Sequence, residues 1–168
     1  VMDVLSRLHQ PGARVLDAGC GGGFLTLELA KAGWKCTGLD VSESVMAPAQ
    51  ARDAEGRIAW SVGSVEALPF AANSFDAVCM MDVLEHVSDP RRAVNEALRV
   101  LNPSGTFIFH TFNRTWASWL FAAKGLDWFI PDSPAHIHDW KMFIRPQELE
   151  SWLVEAGWRV EEFRGIHP

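Results

Sequence analysis

"LDAGCGGG", Leu16–Gly23, decides the fold of this chain through what stands on either side of it. Arg14–Asp17 reads as a short buried strand. Phe24–Ala32 repeats its apolar residues at helical spacing and stops at Gly33. A glycine-rich turn between strand and helix lets the backbone approach a ligand closely, and the helix start behind it carries free amide donors. The last glycine of G-x-G-x-x-G is missing and no Gly-Lys-Ser/Thr follows, so neither the dinucleotide pattern nor a P-loop fits. Asp17 precedes the first glycine, where it would repel a pyrophosphate. A cationic or uncharged ligand suits it better; the alternative is a tight turn that holds nothing.

The same rhythm continues outward. Lys35–Asp40 reads as a second strand, followed by a helix over 44–53. Ile58–Gly63 reads as a third strand, and Phe75–Met81 as a fourth, apolar enough to be covered on both faces. Pro90–Leu101 places Ala93, Val94, Ala97, Leu98 and Leu101 on one helical stripe. Thr106–Thr111 reads as a fifth strand, Pro146–Ala156 as a helix and Trp158–Phe163 as a sixth strand. This alternation predicts one α/β domain over 1–168, Rossmann-like and doubly wound, with a mostly parallel sheet. Residues 113–141 break the rhythm and read as an insertion with a role of its own.

Composition narrows the function. Net charge is −6, and the sequence shows no Lys/Arg cluster, which argues against a nucleic-acid partner. Cys20, Cys36 and Cys79 fit neither a zinc site nor a disulfide framework; reduced thiols and a cytoplasmic setting are expected. No apolar run reaches the ~18 residues that span a bilayer. Tyrosine is absent, yet there are 8 tryptophans, and Trp116, Trp119, Trp128 and Trp140 crowd into the insertion.

Asp40 ends the second strand. Ligands of open parallel sheets bind beyond the carboxyl ends of the strands, where a carboxylate can accept from both hydroxyls of a ribose. It could instead cap the following helix, a role for which Ser42 competes.

Taken together, "VLDAGCGGG", "TGLDVS", "SVEALPFAANSFDAVCMMDVLEHV" and "RVLNPSGTFIF" resemble the class I methyltransferases that use S-adenosylmethionine. The resemblance implies a seven-stranded sheet whose last strand is antiparallel. That last strand is not visible in this sequence, which would leave the fifth strand as an exposed edge. It also implies cofactor-binding roles. Gly19 and Gly21 would let the cofactor pass over the loop, with Asp17 near its amino-acid end. Asp40, with Val41 beside it, would hold the ribose. Ser64 and Val65 would flank the adenine, and Met81 would pack nearby. Many relatives carry an acid where Ser64 stands. A sulfonium is cationic, which fits Asp17.

A narrower resemblance follows from "FNRTWASWL", "HIHDWKMFIRPQELESWL" and "GIHP", which are similar to the ubiquinone-pathway O-methyltransferases. It implies O-methylation of a phenol- or catechol-type hydroxyl on a polyprenylated ring. It further implies a divalent cation, Mg or Zn, held by Asp82, Glu85 and His86, where the family usually has Glu at the first position. A helical turn over 83–87 would put the three on one face, and such a cation would acidify a catechol hydroxyl. The alternative gives Glu85 and His86 a packing role. His86 and His138 are the candidate bases. Residues 116–130, dense in Trp, Phe and Leu, predict a lid over a lipid-tailed acceptor and peripheral contact with the inner membrane face. Two further readings stay open: a methyltransferase for another small molecule or lipid, and a non-catalytic cofactor-binding module.

Overall fold

The computed structural model describes residues 1–113 and 143–165. The elements run α1 (Met2–Leu8), β1 (Arg14–Ala18), α2 (Phe24–Lys31), β2 (Lys35–Asp40), α3 (Glu43–Arg52), β3 (Ala59–Val62) and β4 (Phe75–Met81). A 3-10 turn (Leu84–His86), α4 (Pro90–Val100), β5 (Leu101–His110) and α5 (Pro146–Glu155) complete them. The five strands form one sheet in the order β3-β2-β1-β4-β5, and every pairing is parallel.

Side-chain alternation sends the residues of β1 and β4 to two cores, one on each face of the sheet. Val15, Ala77 and Cys79 face one core, shared with Leu5 of α1 and Leu29 of α2. Leu16, Val78 and Met80 face the other, shared with Ala93, Val94 and Ala97 of α4 and Leu149 and Leu153 of α5. A strand covered on both sides loses the polar half of its period-2 pattern.

Chain order leaves the switch between β1 and β4. β2 and β3 build outward on one side and β5 on the other, so a crevice opens at the carboxyl ends of β1 and β4. Among the described residues β5 forms one end of the strand order.

Three expectations change. α1 was not anticipated from the sequence; its anchor is the fully buried Leu5. β5 begins at Leu101 rather than Thr106, because α4 runs directly into it and a register shift opposite Phe75 and Ala77 absorbs the non-alternating residues. Trp158–Phe163 is not a strand. Trp158 and Val160 pack against the larger core, but among the described residues their backbone has no ladder partner, and a β-strand needs one. The predicted insertion lies almost wholly outside the described residues.

Candidate active site

The loop after β1 is tied to the end of β2. The N–H groups of Gly19 and Cys20 both donate to the Leu39 carbonyl, at 2.7 and 2.9 Å. The Gly21 N–H donates to Asp40 Oδ2 at 2.9 Å. Asp40 Oδ1 accepts from the Ser42 N–H at 3.0 Å. Both oxygens are therefore aimed by backbone amides, and each keeps a lone pair for a further donor. Ser42, not Asp40, caps α3, accepting from the Val45 N–H. Since Gly21 gives its amide to Asp40, the loop is poorly equipped for a phosphate.

Left-handed φ values of 78° at Gly19 and 50° at Gly21 explain two of the glycines. Gly19 also lies against Val83, where a Cβ would clash, whereas a Cβ on Gly21 would meet nothing within 4 Å. Among the described residues nothing covers Gly21. Phe24 and Val41, the residues that follow the loop and Asp40, are both strongly exposed.

Asp17 is buried and accepts from the Thr26 hydroxyl at 2.5 Å. Burial pushes its carboxyl up to about 6; the Thr26 hydroxyl pulls against this, and the charge of Asp40 adds to it. Among the described residues no cation pairs with Asp17, and a cationic ligand beside it would favour its ionised form. Cys20, in the same loop, is pushed up to about 12 by burial and then by Asp17, so it is a thiol, not a nucleophile.

Beyond Asp40, the Gly63 N–H donates to the Asp40 carbonyl at 3.0 Å, which brings the loop after β3 alongside. Ser64 Oγ accepts from the Glu66 N–H at 3.1 Å, and Val65 is buried. Aimed carboxylate oxygens, an open glycine floor and a buried acid together fit S-adenosylmethionine, with its ribose diol and its cationic end.

The expected Asp82–Glu85–His86 face does not form. Asp82 has φ 57° and lies outside any helix; only Leu84–His86 make a 3-10 turn. Asp82 Oδ1 accepts from His110 Nδ1 at 2.5 Å. Glu85 is buried instead, and its Oε2 accepts from the Thr111 hydroxyl at 2.9 Å. Among the described residues no three His, Cys, Asp or Glu side chains are grouped to hold a metal ion. As placed, Asp82, Glu85 and His86 do not form a divalent-cation site. His86 is exposed on the 3-10 turn. His138 and the 116–130 stretch lie outside the described residues.

His110, Thr111 and Thr26 were missed in the sequence. His110 and Thr111 were within reach, because they end a strand of a parallel sheet, the same rule that singled out Asp40. Thr26 gave no signal, since a threonine in the first turn of a helix is ordinary.

Among the described residues no helix is long and apolar enough to cross a membrane. Residues 16–109 match the family described as a methyltransferase domain. The ubiquinone biosynthesis O-methyltransferase of Alkalilimnicola ehrlichii is 39% identical over 92% of this chain, which covers 64% of that protein. That of Coxiella burnetii is 37% identical over 93% of the chain and 68% of its own length. The chain thus spans about two thirds of these relatives. A solved SAM-dependent methyltransferase structure from Methanosarcina mazei shares the fold, at 24% identity and TM-score 0.77 over 96% of this chain and 86% of that one. With the glycine loop, Asp40 and the strand order all in place within the matched region, this chain belongs to the methyltransferase-domain family, alongside the ubiquinone-biosynthesis O-methyltransferases.

Proposed function

We propose that this protein transfers a methyl group from S-adenosylmethionine to a hydroxyl oxygen of a phenol- or catechol-type ring, a polyprenylated quinone precursor. The observation that carries this reading is the similarity to O-methyltransferases named for ubiquinone biosynthesis over more than nine-tenths of the chain.

Asp40 receives the ribose hydroxyls, with Val41 beside them. Gly19 and Gly21 form the floor under the cofactor, and Asp17 faces its cationic amino-acid end. Ser64 and Val65 flank the adenine, and Met81 packs near the cofactor. The bound cofactor supplies a methyl group already activated by its sulfonium. The protein's share is then chiefly alignment, which alone is worth several orders of magnitude. His86 and His138 are the candidates for taking the hydroxyl proton. The apolar stretch 116–130 is proposed to receive the lipid tail and to touch the membrane surface.

The test is methyl transfer from labelled cofactor to catechols with and without prenyl tails. Labelled methyl ethers, formed faster on the tailed ring, support the proposal. Transfer to amines alone overturns it. Tight binding of S-adenosylhomocysteine with no turnover on any acceptor would instead identify a cofactor-binding module.

A further inference from the structure

We propose that His110, held by Asp82 and flanked by Phe112, is the subsite that receives the acceptor's hydroxyl. The assignment rests on the O-methyltransferase reading above and names the part of the site that meets the second substrate.

The ends of β1 and β2 carry the features suited to the cofactor. The ends of β4 and β5 lie on the same edge of the parallel sheet, with Met81 and His110 in register. The chain leaves β4 through Asp82 in a left-handed conformation. Two hydrogen bonds then join the same two residues. The Asp82 N–H donates to the His110 carbonyl at 3.0 Å, and His110 Nδ1 donates to Asp82 Oδ1 at 2.5 Å. A carboxylate only accepts, so Nδ1 carries the proton it donates to Asp82, and Nε2 is the ring nitrogen left to face a ligand. The His110 side chain is 31% exposed, so a ligand can reach it.

Phe112 supplies the other half. Its ring lies edge-on to His110, with centroids 6.2 Å apart, and stacks on Phe143 at 5.4 Å and 25°. Phe112 is 41% exposed. A hydrogen-bonding ring nitrogen held in place by Asp82, beside an exposed, braced aromatic face, matches what a phenol offers, one hydroxyl and one ring. The neighbouring carboxylate points the same way. Glu85 Oε2 is held by Thr111, the residue after His110, while its buried Oε1 has no hydrogen-bond partner. Among the described residues the 3-10 turn beside this strand end thus holds a buried acceptor without a donor.

The experiment measures equilibrium binding of 4-tert-butylcatechol and of its dimethyl ether to the S-adenosylhomocysteine-loaded chain. A site built around a hydroxyl discriminates strongly against the analogue that lacks it. The wild type is expected to prefer the catechol by tenfold or more. His110→Ala should bring the two ligands within about twofold of each other, with S-adenosylhomocysteine affinity unchanged. His110→Gln, which keeps an acceptor, should restore part of the preference. Asp82→Ala should lower it, and Phe112→Leu should weaken both ligands alike. A wild type without preference, or a His110→Ala variant that keeps it, overturns the subsite. Turnover of catechols alongside that second result leaves the transferase reading standing. His110-dependent preference without turnover does the reverse: the subsite stands and the transferase reading falls.

Discussion

The backbone N–H of Gly21 donates to Oδ2 of Asp40 across 2.9 Å, so the residue that ends β2 also fixes the loop that follows β1. Asp40 thereby shapes the cofactor floor and presents its remaining lone pairs to the ribose. In Asp40→Asn one carboxylate oxygen becomes an NH2, and either the Gly21 or the Ser42 amide loses its acceptor. Stability should fall by about 1 kcal/mol, and S-adenosylhomocysteine affinity by about tenfold. Ser42→Ala is the comparison. It removes the helix cap, costs a similar ~1 kcal/mol, and should leave affinity alone. Calorimetric titration of both variants decides; equal affinities would remove the ribose role from Asp40.

The two glycines of the loop separate packing from binding. Gly19→Ala drives a methyl into Val83 at a positive φ, and about 2 kcal/mol or more of stability should be lost. Gly21→Ala meets no protein atom, so only the backbone term of about 1 kcal/mol applies. Its methyl would project into the open space over the loop, so cofactor affinity should drop out of proportion to stability. A Gly21→Ala variant with wild-type affinity would show that nothing binds over this loop.

Asp17 makes the protein sensitive to pH in a defined direction. Its folded-state value of about 6 lies above the ordinary 3.8, so the folded state holds a proton that the unfolded chain has already released. The contribution to stability is complete below pH 3.8 and is lost as pH rises through 6, about 3 kcal/mol in all. Urea unfolding of Asp17→Asn should show a flatter profile between pH 4 and 6 than the wild type. Because a cationic ligand prefers the ionised carboxylate, wild-type affinity for S-adenosylmethionine should rise from pH 5 to 7. Parallel unfolding profiles for the two proteins would argue against this titration.

Legibility in the sequence followed the physics of each element. β4 was readable because burial on both faces makes its apolar run nearly continuous, and β1 and β2 because each carries an acid at or next to its end, beside a glycine turn or a helix start. Asp40 was readable because strand ends in a parallel sheet are where ligands go. The early start of β5 was hidden because residues 102–105 obey no alternation and are held only by a register shift. Trp158–Phe163 misled because apolar alternation reports burial, not the presence of a partner strand. The Asp82–Glu85–His86 face failed for a backbone reason: helical spacing was assumed at a residue that is left-handed. Thr26 was hidden because its role comes from the buried carboxylate above it.

The tryptophan-rich stretch makes a prediction of its own. If residues 116–130 contact a lipid surface, a Trp119→Ala, Phe121→Ala double variant should co-sediment with liposomes several-fold less than the wild type. Its S-adenosylhomocysteine binding should be unchanged. Equal sedimentation of the two, or none by either, counts against membrane contact.

Asp82 sets local stability against activity. A non-glycine residue at φ 57° carries a backbone cost of order 1 kcal/mol, which glycine would relieve. The exposed Asp82–His110 hydrogen bond recovers only part of this. Asp82→Gly should therefore be neutral or stabilising in thermal unfolding, while acceptor recognition collapses. A screen for heat resistance would select this substitution and discard the enzyme's grip on its acceptor. Selection for turnover would put the strained aspartate back.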